Sequence, residues 1–228
     1  MSDSLSPKTL EESLKALEKC SNASVRARNS RDGASDNQFG VTTGDIRLIA
    51  KSIKSNHELG LELWATGNVD AMLLATLIMK PKLLSEEELE QMATSVTFAH
   101  VADYFTTNVI KQHPGKETMR LRWMHSDHAM LARAGWSLTT ERVIKNPEGL
   151  DLNGLLDRIE REMGGAPPHA QWTMNHCLAE IGIRFAEHRQ RGIDIGAKVG
   201  LYRDYKVSKG CTSPFAPIWI GAMVARQN

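Results

Sequence analysis

The sequence predicts an all-α protein built as a stacked helical solenoid, and three observations carry that prediction. First, ELWATGNVDAMLLATLI from Glu62, RLRWMHSDHAMLARAGWSL from Arg120 and HAQWTMNHCLAEIGI from His169 repeat one idea, a tryptophan-bearing segment leading into an apolar helix rich in small residues. Helical units that cannot bury their faces alone stack on one another. Second, apolar residues recur at helical spacing almost throughout, and no segment alternates as a strand does. Third, the punctuation between segments is glycine, proline and capping residues. No linker divides the 228 residues, so a single domain over 1–228 is expected, with 1–37 as an N-terminal helix and loop and 201–228 as a C-terminal loop and helix.

Each element follows from local chemistry. Ser6-Pro7, Thr9 and Glu12 give a start signal with a capping box, after which Leu10, Leu14 and Leu17 carry a helix to about Cys20. The stretch SNASVRARNSRDGASDNQFG is polar and aperiodic and reads as a loop before the helix of TTGDIRLIAKSIK. Gly67 divides HELGLELWAT from NVDAMLLATLIMK, with Asn68 placed to cap the second helix and Asp70 placed to cap or to pair with a lysine. Pro81 ends that helix. Ser85 and Glu88 form a second capping box, and Phe98, Val101, Ala102, Phe105 and Val109 make one apolar stripe that Pro114-Gly115 closes. Helices are then predicted over about Glu117–Met124, Asp127–Glu141, Leu152–Glu162, His169–Ile183 and Ala186–Val199, the last stopped by Gly200. LYRDYKVSKGCTSPF should be irregular, and PIWIGAMVAR should form a final helix packed on the stack.

Composition excludes several classes of function. An apolar fraction of 41% and a charged fraction of 24% are those of an ordinary globular chain. No apolar run approaches the roughly 18 residues of a membrane span, and the N-terminus has no signal-peptide core, so a cytoplasmic protein without membrane partners is expected. Cys20, Cys177 and Cys211 are odd in number and far apart, which fits reduced thiols. His125, Asp127, His128, His169 and His176 do not complete a metal-ligand set, no glycine-rich phosphate loop or nucleophile elbow is present, and no base for a Cys211 nucleophile is evident in SKGCTSP. Neither metal nor cofactor is expected. The tryptophans all fall among apolar helical positions and are expected in the core or in packing between repeats rather than as base-stacking platforms. The net charge is only +1, yet Glu58–Asp103 is acidic while Lys111–Lys145 and Arg184–Lys209 are basic, a segregation that allows one positive face.

Six blocks in order, GVTTGDIRLIAKSI, HELGLELWATGNVDAMLLATLI, SVTFAHVADYF, HAMLARAGWSL, MNHCLAEIGI and SKGCTSPFAPIWI, resemble the DNA alkylation repair family of AlkD-like proteins from about Gln38 onward. The resemblance implies a right-handed α-solenoid of HEAT-like helical repeats, an alpha-alpha superhelix, acting as a monomer. It also implies a basic concave face that binds double-stranded DNA, damaged or branched, and excision of an N-alkylated purine without metal or cofactor. A cationic purine is already a good leaving group, so the enzyme gains most by stabilising an oxocarbenium-like sugar and placing a water. Asp103 occupies the position that resembles the family's catalytic carboxylate; read as a helix residue alone, it would pair with a neighbouring cation. Arg133 resembles a backbone-contacting arginine, with an ion pair to Asp103 as the alternative. Arg47, Lys51, Arg203, Lys206 and Lys209 are further candidates for DNA-backbone contacts.

The chain departs from the family at two positions. The active enzymes cradle the lesion with two tryptophans, and the matching positions here are Ala99 and His176. Phe98, Tyr104 and Trp172 are neighbours that could compensate, although one helical residue rotates a side chain by roughly 100°. Two function classes follow: an alkylpurine DNA glycosylase using Asp103, or a non-catalytic DNA-binding or protein-scaffold HEAT-like protein that has lost that activity.

Overall fold

The computed structural model describes residues 7–227, and its regular elements are thirteen α-helices and three short 3-10 turns, with no strand among the described residues. These residues form two compact units, the first ending at Lys116 and the second beginning at Glu117.

In the first unit, α1 (Leu10–Lys19) begins where Thr9 and Glu12 close a capping box; Ser6 lies outside the described residues. The next segment corrects a sequence expectation. SNASVRARN is not a loop but contains α2 (Ala23–Arg31), because the Asn22 side chain accepts the N–H groups of Ser24 and Val25 and so supplies a cap. Tertiary contacts complete what periodicity could not announce: Asn29 is buried and donates to Gln38. After a loop come α3 (Thr43–Ile53), α4 (His57–Ala65) and α5 (Val69–Ile78). Gly67, at a φ of 62°, makes the turn between α4 and α5, and Asn68 caps α5.

Helix α5 is the hub of this unit, buried at nine of its ten positions and packed against α3, α4 and α7 (Ala99–Asn108). Asp70, in its first turn, is fully buried and pairs with no lysine. Its carboxylate accepts the backbone N–H groups of Phe39 at 2.6 Å, Gly40 at 3.0 Å and Val41 at 2.8 Å, pinning the loop that precedes α3. Between α5 and α7, α6 (Glu86–Ser95) starts at the predicted Ser85–Glu88 box. The apolar stripe of α7 is buried as expected, with the Phe105 ring 4.6 Å from that of Trp64.

The second unit holds all but the first residue of α8 (Lys116–Trp123), and with it α9 (Ala129–Lys145), α10 (Leu152–Glu162), α11 (Pro168–Arg184), α12 (Ala186–Val199) and α13 (Ala216–Ala225). Helices α9 and α11 form its central pair. Gly135 in α9 lets that helix approach the end of α8 so closely that an added Cβ would lie 2.6 Å from the Trp123 carbonyl carbon and against the Met124 backbone nitrogen. Gly182 and Gly196 likewise make room for α13, receiving Ile220 and Ala216 respectively, so the final helix packs on the stack as expected. Gly200 ends α12 in the left-handed conformation.

Trp64, Trp123 and Trp136 lie in the core, whereas Trp172 and Trp219 are half-buried, Trp219 packing against the core of the second unit. The half-buried pair faces aromatic neighbours at the surface. All three cysteines are free thiols: Cys177 is buried, which pushes its pKa up to about 12, Cys20 is half-buried and Cys211 is exposed. No helix among the described residues is long and apolar enough to cross a membrane.

Candidate nucleic-acid interface

In the first unit the candidate carboxylate shares an outward helix face with two aromatic rings. Because the stripe at Val101, Ala102 and Phe105 turns inward, helical geometry brings His100, Asp103 and Tyr104 outward together, and Asp103 is exposed. The His100 ring lies 4.9 Å from that of Tyr104. From α3, Arg47 donates to the Tyr104 hydroxyl at 3.1 Å, and its guanidinium carbon sits 6.0 Å from the ring centroid. Lys51, one turn further along α3, is exposed.

His100 senses this surrounding charge. Burial pushes its pKa below the usual value of 6.5, the Asp103 charge opposes that fall, and Arg28 from α2 adds to it. Arg28 therefore acts on the same imidazole as Asp103 does, although it lies 75 positions before Asp103 in sequence. Sequence reasoning missed both groups. His100 was within reach, three residues before Asp103 on one helix face; Arg28 was hidden by reading its helix as a loop.

Ala99 is the first residue of α7, so nothing longer than a methyl group stands at the first departure from the family. Phe98 is no substitute: it is buried, and with Trp64, Met72 and Val101 it lines a cleft of about 360 Å³. Tyr104 remains beside Asp103 as the aromatic group of this face.

In the second unit Arg133 is 5% exposed, and its Nη1 donates to the His169 carbonyl at 3.1 Å, which ties α9 to the start of α11. A guanidinium so placed fixes two helices before it meets any phosphate. His176, the second departure, stacks on Trp219 with ring centroids 5.2 Å apart and an interplanar angle of 12°. Its Nε2 lies 3.5 Å from Glu180, whose carboxyl also receives Arg184 at 2.7 Å. The His176 imidazole and the Arg184 guanidinium hold Glu180 below the ordinary carboxylate range against the effect of burial. An imidazole–indole stack thus stands where the family resemblance calls for a single tryptophan.

Beyond α12, Arg203, Lys206 and Lys209 are exposed. Arg203 donates to the Ala197 carbonyl at 3.0 Å and lies 5.4 Å from the Phe215 ring centroid, so much of its guanidinium braces the chain. The rings of Trp172, Tyr202 and Tyr205 meet beside this segment, at centroid distances of 5.3 to 6.1 Å. From α10, Arg158 lies 3.2 Å from His125 and stacks 5.3 Å above Trp136. Among the described residues, no group of three or more His, Cys, Asp and Glu side chains could hold a metal ion.

A family model described as "DNA alkylation repair enzyme" matches residues 10–198. The "Uncharacterized protein Lin0241" of Listeria innocua is 23% identical over 195 residues, covering 83% of this chain and 85% of the relative. The "Uncharacterized protein Lmo0209" of Listeria monocytogenes is 22% identical over 187 residues, covering 80% and 81%. Among solved structures, one described as "A new family of proteins related to the HEAT-like repeat DNA glycosylases with affinity for branched DNA structures" matches with a TM-score of 0.81 and 25% identity, over 96% of this chain and 95% of that one. The fold is all-α and built of HEAT-like helical repeats, as the sequence predicts.

Proposed function

Because the chain belongs to the DNA alkylation repair enzyme family, we propose that it binds DNA through the strand backbone and that Asp103 is the group it presents to a lesion nucleotide. The observation that carries this reading is the outward face of α7, where Asp103 stands with His100 and Tyr104 while Arg47 reaches Tyr104 and the charge of Arg28 is felt at His100. Arginine forks and Lys51 suit phosphate oxygens, contacts that position DNA without reading sequence. A carboxylate among them is repelled by phosphate and suits what is cationic, the sugar that develops when an N-alkylated purine leaves. The same carboxylate can orient the attacking water, and the step needs no redox chemistry. Arg203, Lys206 and Lys209 are proposed as further backbone contacts, and the acting species as a cytoplasmic monomer.

A second reading, binding without excision, is favoured by Ala99, which leaves one side of the lesion cradle without an aromatic wall. The related solved structure, with its described affinity for branched DNA, supports that reading. Both have one test. Duplex DNA carrying N-methylated purines is incubated with the protein and the freed base is measured alongside binding. Salt-dependent binding with base release that disappears in Asp103→Asn supports the excision reading, whereas binding without release supports the second. Absence of salt-dependent affinity for duplex and branched DNA alike would overturn both and leave a protein scaffold.

A further inference from the structure

We infer that the segment following α12 carries a stacking site for one unpaired nucleobase, formed by Tyr205 on a base of Trp172 and Tyr202. This inference rests on the DNA-binding reading above. Three aromatic rings meet there: Trp172 from α11 lies 5.3 Å from Tyr202, edge to face, and 6.1 Å from Tyr205, while the two tyrosines are 6.0 Å apart at 81°. The inner two are half-buried, and Tyr205 is 51% exposed.

The backbone is shaped to hold the ring outward. Tyr202 has a φ of 63°, a left-handed conformation that a bulky residue rarely adopts and that persists only where surrounding contacts impose it. That turn sets Tyr202 against Trp172 and returns the chain through the Tyr205 N–H to the Tyr202 carbonyl, at 3.1 Å. Tyr205 is thereby braced on two sides, so little ring freedom remains to be lost on binding.

The surrounding charge identifies the ligand class. Exposed Arg203, Lys206 and Lys209 outnumber the exposed Asp204 on this segment, and neither lysine has an ion pair among the described residues. A braced aromatic face beside exposed ammonium groups suits single-stranded nucleic acid, in which lysines follow phosphates and any base offers a π face. Within a duplex each base is already stacked on both sides, so this ring is satisfied by a base at a strand end, flap or junction. The site therefore discriminates by DNA form rather than by sequence.

The test compares the full chain with Tyr205→Ala and Tyr205→Phe by fluorescence anisotropy, on a blunt duplex and on the same duplex with a single-stranded tail. The tail carries 2-aminopurine at its first unpaired position. The wild type is expected to prefer the tailed duplex and to change the 2-aminopurine emission. Tyr205→Ala is expected to lose roughly tenfold on the tailed duplex, the scale of one stacked base, to leave blunt-duplex affinity unchanged and to abolish the emission change. Tyr205→Phe is expected to retain both. Equal losses on the two substrates, an unaltered preference in Tyr205→Ala, or the absence of any tail preference would each overturn the site. If wild type and variants bind neither DNA, the DNA-binding reading itself fails, and this site with it.

Discussion

Replacing Asp70 tests how the first unit is held together. The carboxylate accepts three backbone N–H groups, two of which, at Gly40 and Val41, belong to buried residues. In Asp70→Ala those two donors lose their acceptor at about 1–3 kcal/mol each, and the half-buried Phe39 N–H, which water can reach, adds less. Relief from burying a charge offsets part of this, so the net loss should be about 3–5 kcal/mol, a large share of an ordinary folding free energy. Asp70→Asn should cost less, about 1–3 kcal/mol, because its amide oxygen can serve Phe39 and Gly40 while its NH2 group opposes only Val41. The assay is urea unfolding followed by circular dichroism, with amide hydrogen exchange read at residues 39, 40 and 41. An Asn variant as stable as wild type, or unchanged exchange at those three amides in the Ala variant, would refute the reasoning.

Three further outcomes are expected. His100 is held below its usual pKa of 6.5, so an unfolded chain binds this proton more readily; the stability it contributes is complete above about pH 6.5 and is lost as pH falls through the native value. His100→Gln should therefore unfold less acid-sensitively than wild type. Asp103→Asn, by removing the charge that favours protonation, should lower the His100 midpoint further in an NMR titration; a rise would contradict the placement of the two side chains. Gly135→Ala should destabilise the second unit by about 1–3 kcal/mol despite alanine's better helix propensity, because the new methyl group meets backbone at Trp123 and Met124 rather than a yielding side chain. A melting temperature at or above the wild-type value would show that α8 and α9 separate freely.

Much of the fold was legible because its boundaries are chemical. The limits predicted for α10 and α12 match the structure at both ends, where Asp151 caps the one and Gly200 terminates the other. Helix α2 was illegible for the opposite reason: it has little apolar periodicity, and it is supported by Asn22 and by the buried Asn29–Gln38 contact. The site divides the same way. Helical spacing alone brings His100 and Tyr104 to the side of Asp103, whereas no spacing rule connects Arg28 or Arg47 to α7, since their approach depends on how α2 and α3 pack. Arg133 was placed on the DNA by resemblance, and its burial depends on the His169 carbonyl, 36 residues away.

The three thiols will shape how this protein behaves at the bench. Cys177, sealed in the core and held protonated far above neutral pH, will be silent toward alkylating reagents and peroxide, while Cys211 meets both at the surface. Without reductant, two molecules can join through Cys211, and the product would run as a dimer in a sizing column although no native association had formed. The same accident is useful when controlled. A dye attached to Cys211 sits six residues from Tyr205, so one natural side chain offers both the chief artefact of preparation and a ready optical handle on the segment whose ligand is in question.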